Sequence, residues 1–234
     1  MFDLIVFDLD GTLIDTAPEI ADAVNAMLSQ QGMATVQAAQ VRGWIGHGTT
    51  ELLLHALSAS SGRPEAALRT EGIVDCLMPA FSAHYLGHCG HNSKPYPGVE
   101  NALDELRTFG ARRAIVTNKE ERFAYAVLDA HHLRDYIELV ICGDTLAAKK
   151  PDPLPLRYCM QQFGTAPERT LMIGDSFIDV ETARNAGISV WAVPYGYNHG
   201  APIADAKPDR IVASIAVAVA HITQSAEHHR VSSR

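Results

Sequence analysis

Two aspartates, Asp8 and Asp10, stand with only Leu9 between them and run into Gly11-Thr12. On an extended chain residues i and i+2 point to the same side, so both carboxylates can flank one reacting atom. Chemistry built on such a pair divides the labour. One carboxylate attacks as a nucleophile; the other, its pKa raised, protonates the leaving oxygen and later takes a proton from water. Attack on phosphorus through an aspartyl-phosphate fits this division, and it also needs donors and positive charge for the phosphoryl oxygens. The chain offers them further along: Thr117 and Asn118, a lysine in Lys149-Lys150-Pro151, and Gly174-Asp175-Ser176 followed by Asp179. Carboxylates converging from these segments would repel one another, so a divalent cation is expected among them. All-oxygen ligands favour Mg²⁺ over zinc.

The elements that must bring these residues together are legible as short apolar, β-branched runs. Residues 4–7, 114–116, 139–141, 171–173 and 188–193 each end abruptly at a polar residue, Gly or Pro. Such runs read as strands buried on both faces, hence a parallel sheet. Helical patterns lie between them. Residues 97–110 place Val99, Ala102, Leu103, Leu106 and Phe109 on one stripe and stop at Gly110, and 179–187 repeat the arrangement with Val180, Ala183 and Ala186. This alternation predicts an α/β fold, a parallel sheet flanked by helices, with ligands at the carboxyl ends of the strands. The segment from 16 to 92 is far longer than a crossover requires. It reads as helical, with stripes at Ile20, Val24, Met27 and Leu28, at residues 52–57, and at Ile73, Leu77, Ala80, Phe81 and His84. An α-helical domain inserted just after the Asp8–Asp10 turn is expected, with Pro95-Tyr-Pro-Gly98 marking the return to the sheet.

Composition limits the partners. The 234 residues are 47% hydrophobic and 20% charged, ordinary globular values, and the net charge of -8 argues against a nucleic-acid partner. Cys76, Cys89, Cys142 and Cys159 form no CxxC pair and read as free thiols. No leader pattern and no run long enough for a bilayer is evident. The expectation is a soluble, cytoplasmic protein with no membrane partner, a monomer or homodimer.

The set DLDGT (8–12), VTN (116–118), KKPDP (149–153) and GDSFID (174–179), in this order over essentially the whole chain, resembles the four motifs of the haloacid dehalogenase superfamily of phosphohydrolases. The resemblance implies a Rossmann-like catalytic core at 1–15 and 93–225, a helical cap at 16–92 and a solvated tail at 226–234. It implies Asp8 as nucleophile and Asp10 as general acid/base. Asp8, Asp175 and Asp10, the last through its main-chain carbonyl, would hold Mg²⁺. Thr117, Asn118 and Lys150 would bind the phosphate, Lys150 being selected over Lys149 because it directly precedes proline. Asp179, Gly174 and Ser176 would support the site. WIGHG (44–48), PYPGV (95–99) and YGYNHG (195–200) are further similar to the phosphoglycolate phosphatase family. That implies a small phosphorylated metabolite as substrate, 2-phosphoglycolate, released as glycolate and phosphate. His47, between two glycines on a cap loop, is a candidate to meet the substrate carboxylate, with His199 a weaker one. The alternatives within the superfamily are a sugar-phosphate phosphatase and a phosphotransferase such as a hexose-phosphate mutase.

Overall fold

All four residues of Leu4–Phe7 are completely buried, and their side chains serve two cores in alternation: Ile5 and Phe7 one, Leu4 and Val6 the other. A strand with two dry faces belongs in the middle of a sheet with helices on both sides. The computed structural model, which describes residues 1–232 and the side chains up to 224, has this architecture. Strand β1 (Leu4–Phe7) lies centrally in a six-stranded, all-parallel sheet. On one side of it are β4 (Arg112–Val116) and β5 (Leu139–Ile141); on the other are β6 (Thr170–Gly174), β7 (Ser189–Ala192) and β8 (Arg210–Ile211). The chain thus winds outward in one direction, returns to β1, and winds outward in the other. The crevice at this reversal, beyond the carboxyl ends of β1, β4 and β6, is where an open α/β sheet binds ligands.

Two further strands, β2 (Ile14–Asp15) and β3 (Lys94–Pro95), form a separate antiparallel ribbon, Ile14 opposite Pro95 and Asp15 opposite Lys94. Between them run five helices: α1 (Ala17–Gln30), α2 (Ala38–Trp44), α3 (Thr49–Ser61), α4 (Glu65–Glu71) and α5 (Ile73–His88). The ribbon therefore clasps the two ends of the helical insertion together. Helices α6 (Val99–Phe109), α7 (Glu121–Ala130) and α10 (Ile215–Ser232) share the core with Ile5 and Phe7, while α8 (Leu154–Phe163) and α9 (Phe177–Ala186) cover Leu4 and Val6.

Three features differ from the sequence expectation. The buried stripe of α5 is Val74, Leu77, Phe81 and Tyr85, one step round from the expected Ile73, Ala80 and His84. Tyr85 turns inward because its hydroxyl finds a buried acceptor in Glu19 at 3.0 Å, whereas the His84 ring bonds Gln30 at the surface. Strand β8 is two exposed residues long, too short to leave a period in the sequence. Helix α10 carries the backbone on to Ser232, across most of the stretch expected as a tail at 226–234; the side chains there and residues 233 and 234 lie outside the described residues. No helix among the described residues is long and apolar enough to cross a membrane.

Candidate active site

Strand β1 pairs in parallel with both β4 and β6, each of which runs one residue further, so Asp8, Thr117 and Asp175 emerge near one another at the same edge of the sheet. The Asp8 N–H still donates to the Ile173 carbonyl at 3.0 Å, which holds its side chain at the sheet edge. Asp8 Oδ1 accepts from the Leu9 N–H at 2.7 Å and lies 2.8 Å from Lys150 Nζ. The same ammonium reaches Asp179 Oδ1 at 2.7 Å. The other Asp179 oxygen accepts from the N–H groups of Asp175 and Ser176, both at 3.1 Å, and from the Ser176 hydroxyl at 2.8 Å, closing a capping box at the start of α9. A side chain at residue 174 would run into Asp179, so only glycine fits there. Asp175 accepts from the Thr12 hydroxyl at 2.6 Å and the Tyr197 N–H at 2.5 Å.

One oxygen from each of Asp8, Asp175 and Asp179 lies within 4.8 Å of the others. Three carboxylates against one ammonium leave the cluster short of positive charge. Burial, with the Asp179 charge behind it, outweighs Lys150 and pushes the Asp8 carboxyl up to about 7. Burial and then Asp179 and Asp8 hold the Asp175 carboxyl well above the usual carboxylate range. Burial works against the Lys150 ammonium, yet Asp179 and Asp8 outweigh it and raise its pKa. An all-oxygen donor set with this deficit fits a divalent cation of the magnesium kind.

Asp10 has different surroundings. Its carboxylate is not part of the cluster; it turns to Lys119 Nζ, 3.0 and 3.1 Å from its two oxygens, and accepts from the Thr16 hydroxyl at 2.6 Å. Thr117 is buried and lines the same cavity as Asp8 and Asp10, a space of about 50 Å³ roofed by Ile20, Ile45, Leu52, Phe81 and Tyr85 of the insertion. Asn118 also borders it, but its amide nitrogen is committed to the carbonyls of Gly46 and Lys150, 2.9 Å each.

The haloacid dehalogenase-like hydrolase profile matches residues 5–193. The chain belongs to the haloacid dehalogenase-like hydrolases. It is 38% identical over 222 residues to a phosphoglycolate phosphatase of Thiobacillus denitrificans, covering 94% of this chain and 96% of that one. It is 39% identical over 214 residues to a phosphoglycolate phosphatase of Nitrosococcus oceani, covering 91% and 93%. Among solved structures it is similar to a predicted phosphoglycolate phosphatase from Haemophilus somnus 129PT, with a TM-score of 0.84, 31% identity, and 92% and 95% of the two chains covered.

In this hydrolase the two adjacent lysines part company: Lys150 enters the carboxylate cluster, whereas Lys149 Nζ donates to the His47 carbonyl at 2.7 Å. Lys149 thereby fastens the loop of the insertion that Asn118 also holds. Gly46 and Gly48 of that loop border the cavity, while the His47 ring lies against His199 and Phe177, with centroids 5.1 and 6.1 Å away. His199 Nδ1 meets the Gly43 carbonyl at 2.6 Å, a contact between the core and the insertion. Four further residues of the hydrolase carry the site without standing out in its motifs. Thr12 and Tyr197 orient Asp175, and Tyr197, at first a loop residue in YGYNHG, is buried with its hydroxyl on Asp15. Lys119 and Tyr85 form the wall beside Asp10. The one sequence signal for Lys119 is its place directly after Thr117-Asn118; Tyr85 gives none beyond the helical period.

Proposed function

We propose that the protein is a Mg²⁺-dependent phosphatase that hydrolyses 2-phosphoglycolate to glycolate and inorganic phosphate. The observation that carries this reading is that Asp8 and Asp10 border the same small cavity, with Thr117 beside them and the helical insertion above. The close similarity to phosphoglycolate phosphatases supports the choice of substrate.

In this mechanism an Asp8 oxygen attacks phosphorus, the ester P–O bond breaks, and Asp10 delivers a proton to the leaving alkoxide. Water then attacks the phosphorus of the aspartyl-phosphate, Asp10 takes its proton, and the Asp8 carboxylate leaves as phosphate forms. Lys150, fixed between Asp8 and Asp179, keeps the nucleophile aimed and puts positive charge beside the phosphoryl oxygens. Thr117 offers a hydroxyl to the same oxygens. The carboxylates of Asp8 and Asp175, with the main-chain carbonyl of Asp10, would hold Mg²⁺, and Asp179 would support them. A bound Mg²⁺ supplies charge neutralisation for the phosphoryl group. The insertion serves as the cap: its apolar roof limits the size of the leaving group and excludes bulk water.

Measuring kcat/KM for 2-phosphoglycolate and a panel of sugar phosphates, with and without Mg²⁺, tests this. The phosphoglycolate value should be highest, depend on Mg²⁺, and fall by at least about 10⁴-fold in Asp8→Asn while the fold persists. A sugar phosphate preferred over 2-phosphoglycolate, or an active Asp8→Asn variant, would sink the proposal.

A further inference from the structure

Among the described residues that border the cavity, three are aspartates and one is a cation, Lys119. Its side chain is 5% exposed. A lysine this deep must be compensated, and two groups compensate it: the Asp10 carboxylate, and the ring of Tyr85, whose centroid lies 4.8 Å from Nζ. The Tyr85 ring cannot swing away, because its hydroxyl donates to buried Glu19 at 3.0 Å. Lys119 is thus held from both sides, by the core through Asp10 and by the insertion through Tyr85, with its ammonium at the cavity wall.

Asp10 does not depend on this lysine alone, since the Thr16 hydroxyl already donates to it. The ammonium can therefore share itself with a second anion. It has three donors and is a compact charge that tolerates a small displacement. Position decides which anion that is. Asp10 meets the oxygen that leaves phosphorus, and Lys119 Nζ lies 3.0 Å from the Asp10 carboxylate. In 2-phosphoglycolate the carboxylate carbon is two bonds from that oxygen, so its charge falls beside the same ammonium. The apolar residues that border the cavity, Ile45, Leu52, Phe81 and Phe123 among them, offer no charge to meet it.

We propose that Lys119 is the specificity-determining residue for the leaving group, its ammonium receiving the carboxylate on the carbon next to the ester oxygen while the Tyr85 ring backs it. The assignment rests on the phosphatase reading above and deepens it. It makes the preference for an acidic leaving group a property of a core residue that the insertion only steadies.

The test compares kcat/KM for 2-phosphoglycolate with that for ethyl phosphate, the same two-carbon skeleton without the carboxylate, in the wild type, Lys119→Met and Lys119→Gln. Glutamine, one bond shorter, keeps a donor for Asp10 but not the charge, so it stands in should the methionine variant fold poorly. In both variants the ratio of the two values should fall about 100-fold, the size expected when one partner of a buried charge pair is removed. The loss for 2-phosphoglycolate should appear mainly in KM. An equal fall for both substrates would show that Lys119 only holds Asp10, and an unchanged ratio would show that the carboxylate sits elsewhere; either result overturns the assignment. A wild type that hydrolyses neither ester, or does not prefer 2-phosphoglycolate, refutes the phosphatase reading first and takes this assignment with it.

Discussion

The two aspartates that share the end of β1 live in opposite electrostatic settings. Asp8 sits among Asp175 and Asp179 with Lys150 as the one ammonium in contact, all supplied by the sheet core and all nearly dry. Asp10, two residues on, has one lysine of its own and a hydroxyl, and its surroundings are completed by α1 and α5 of the insertion. The first setting is short of positive charge and so is built to take a cation. The second is balanced and so can hold its geometry without one. In the proposed mechanism a nucleophile needs its charge stabilised at the moment of attack, while a proton carrier needs to be held where the leaving group will be; the two settings suit those two proposed roles.

Removing Lys150 breaks the comparison most strongly. Lys150→Met leaves three buried carboxylates with no ammonium and should cost about 3–5 kcal/mol of folding stability near neutral pH. Urea unfolding measures this. Added Mg²⁺ should recover part of the loss, because the cation replaces charge that the lysine supplied. A stability within experimental error of the wild type would mean that the cluster was never short of charge.

The next largest effect sharpens the contrast without mutation. The Asp8 carboxyl is raised to about 7 from 3.8, chiefly by burial. A raised carboxyl binds its proton more tightly in the folded state than in the unfolded one. Its contribution to stability is therefore present below about pH 4 and is lost as pH climbs towards 7. On the proposed assignment Mg²⁺ displaces that proton, so the rise in Tm on adding Mg²⁺ should be small near pH 5 and grow to several degrees by pH 7.5. Differential scanning calorimetry across this range checks the sign. A gain that shrinks as pH rises would place the cation away from Asp8.

How far the sequence foretold this contrast depends on the range of the interactions concerned. Five of the six strands of the central sheet, all but β8, were legible because apolar runs ending just before Asp8, Thr117 and Gly174-Asp175 reflect burial and position, both local properties of a parallel sheet. The balanced half was not. Lys119 follows two motif residues, but its pairing with Asp10 spans 109 positions and depends on how β1 and β4 align. Tyr85 was hidden by a one-step rotation of the α5 stripe, which a helical period cannot resolve when Ile73, Val74, Ala80 and Phe81 are all apolar. The acidic motif of α9 was expected to support the site, and the structure adds a helix cap. Asp179 is both, since one oxygen caps and the other meets Lys150.

The smallest effect probes the part of the balanced half that the insertion supplies. Tyr85→Phe removes one hydroxyl from Glu19, which keeps its bond from the Gly90 N–H at 2.8 Å. The loss should be about 1–2 kcal/mol, the cost of leaving a buried carboxylate one donor short. The ring itself remains above Lys119, so the cation–π contact survives. What changes is its anchoring, and KM for 2-phosphoglycolate should rise a few-fold, by roughly the value of one loosened contact, while Mg²⁺ dependence stays as in the wild type. Steady-state kinetics at varied Mg²⁺ separates the two. If Tyr85→Phe altered the Mg²⁺ requirement as well, the Asp8 and Asp10 settings would be coupled through the insertion, and the division between a charge-deficient core and a balanced wall would not hold.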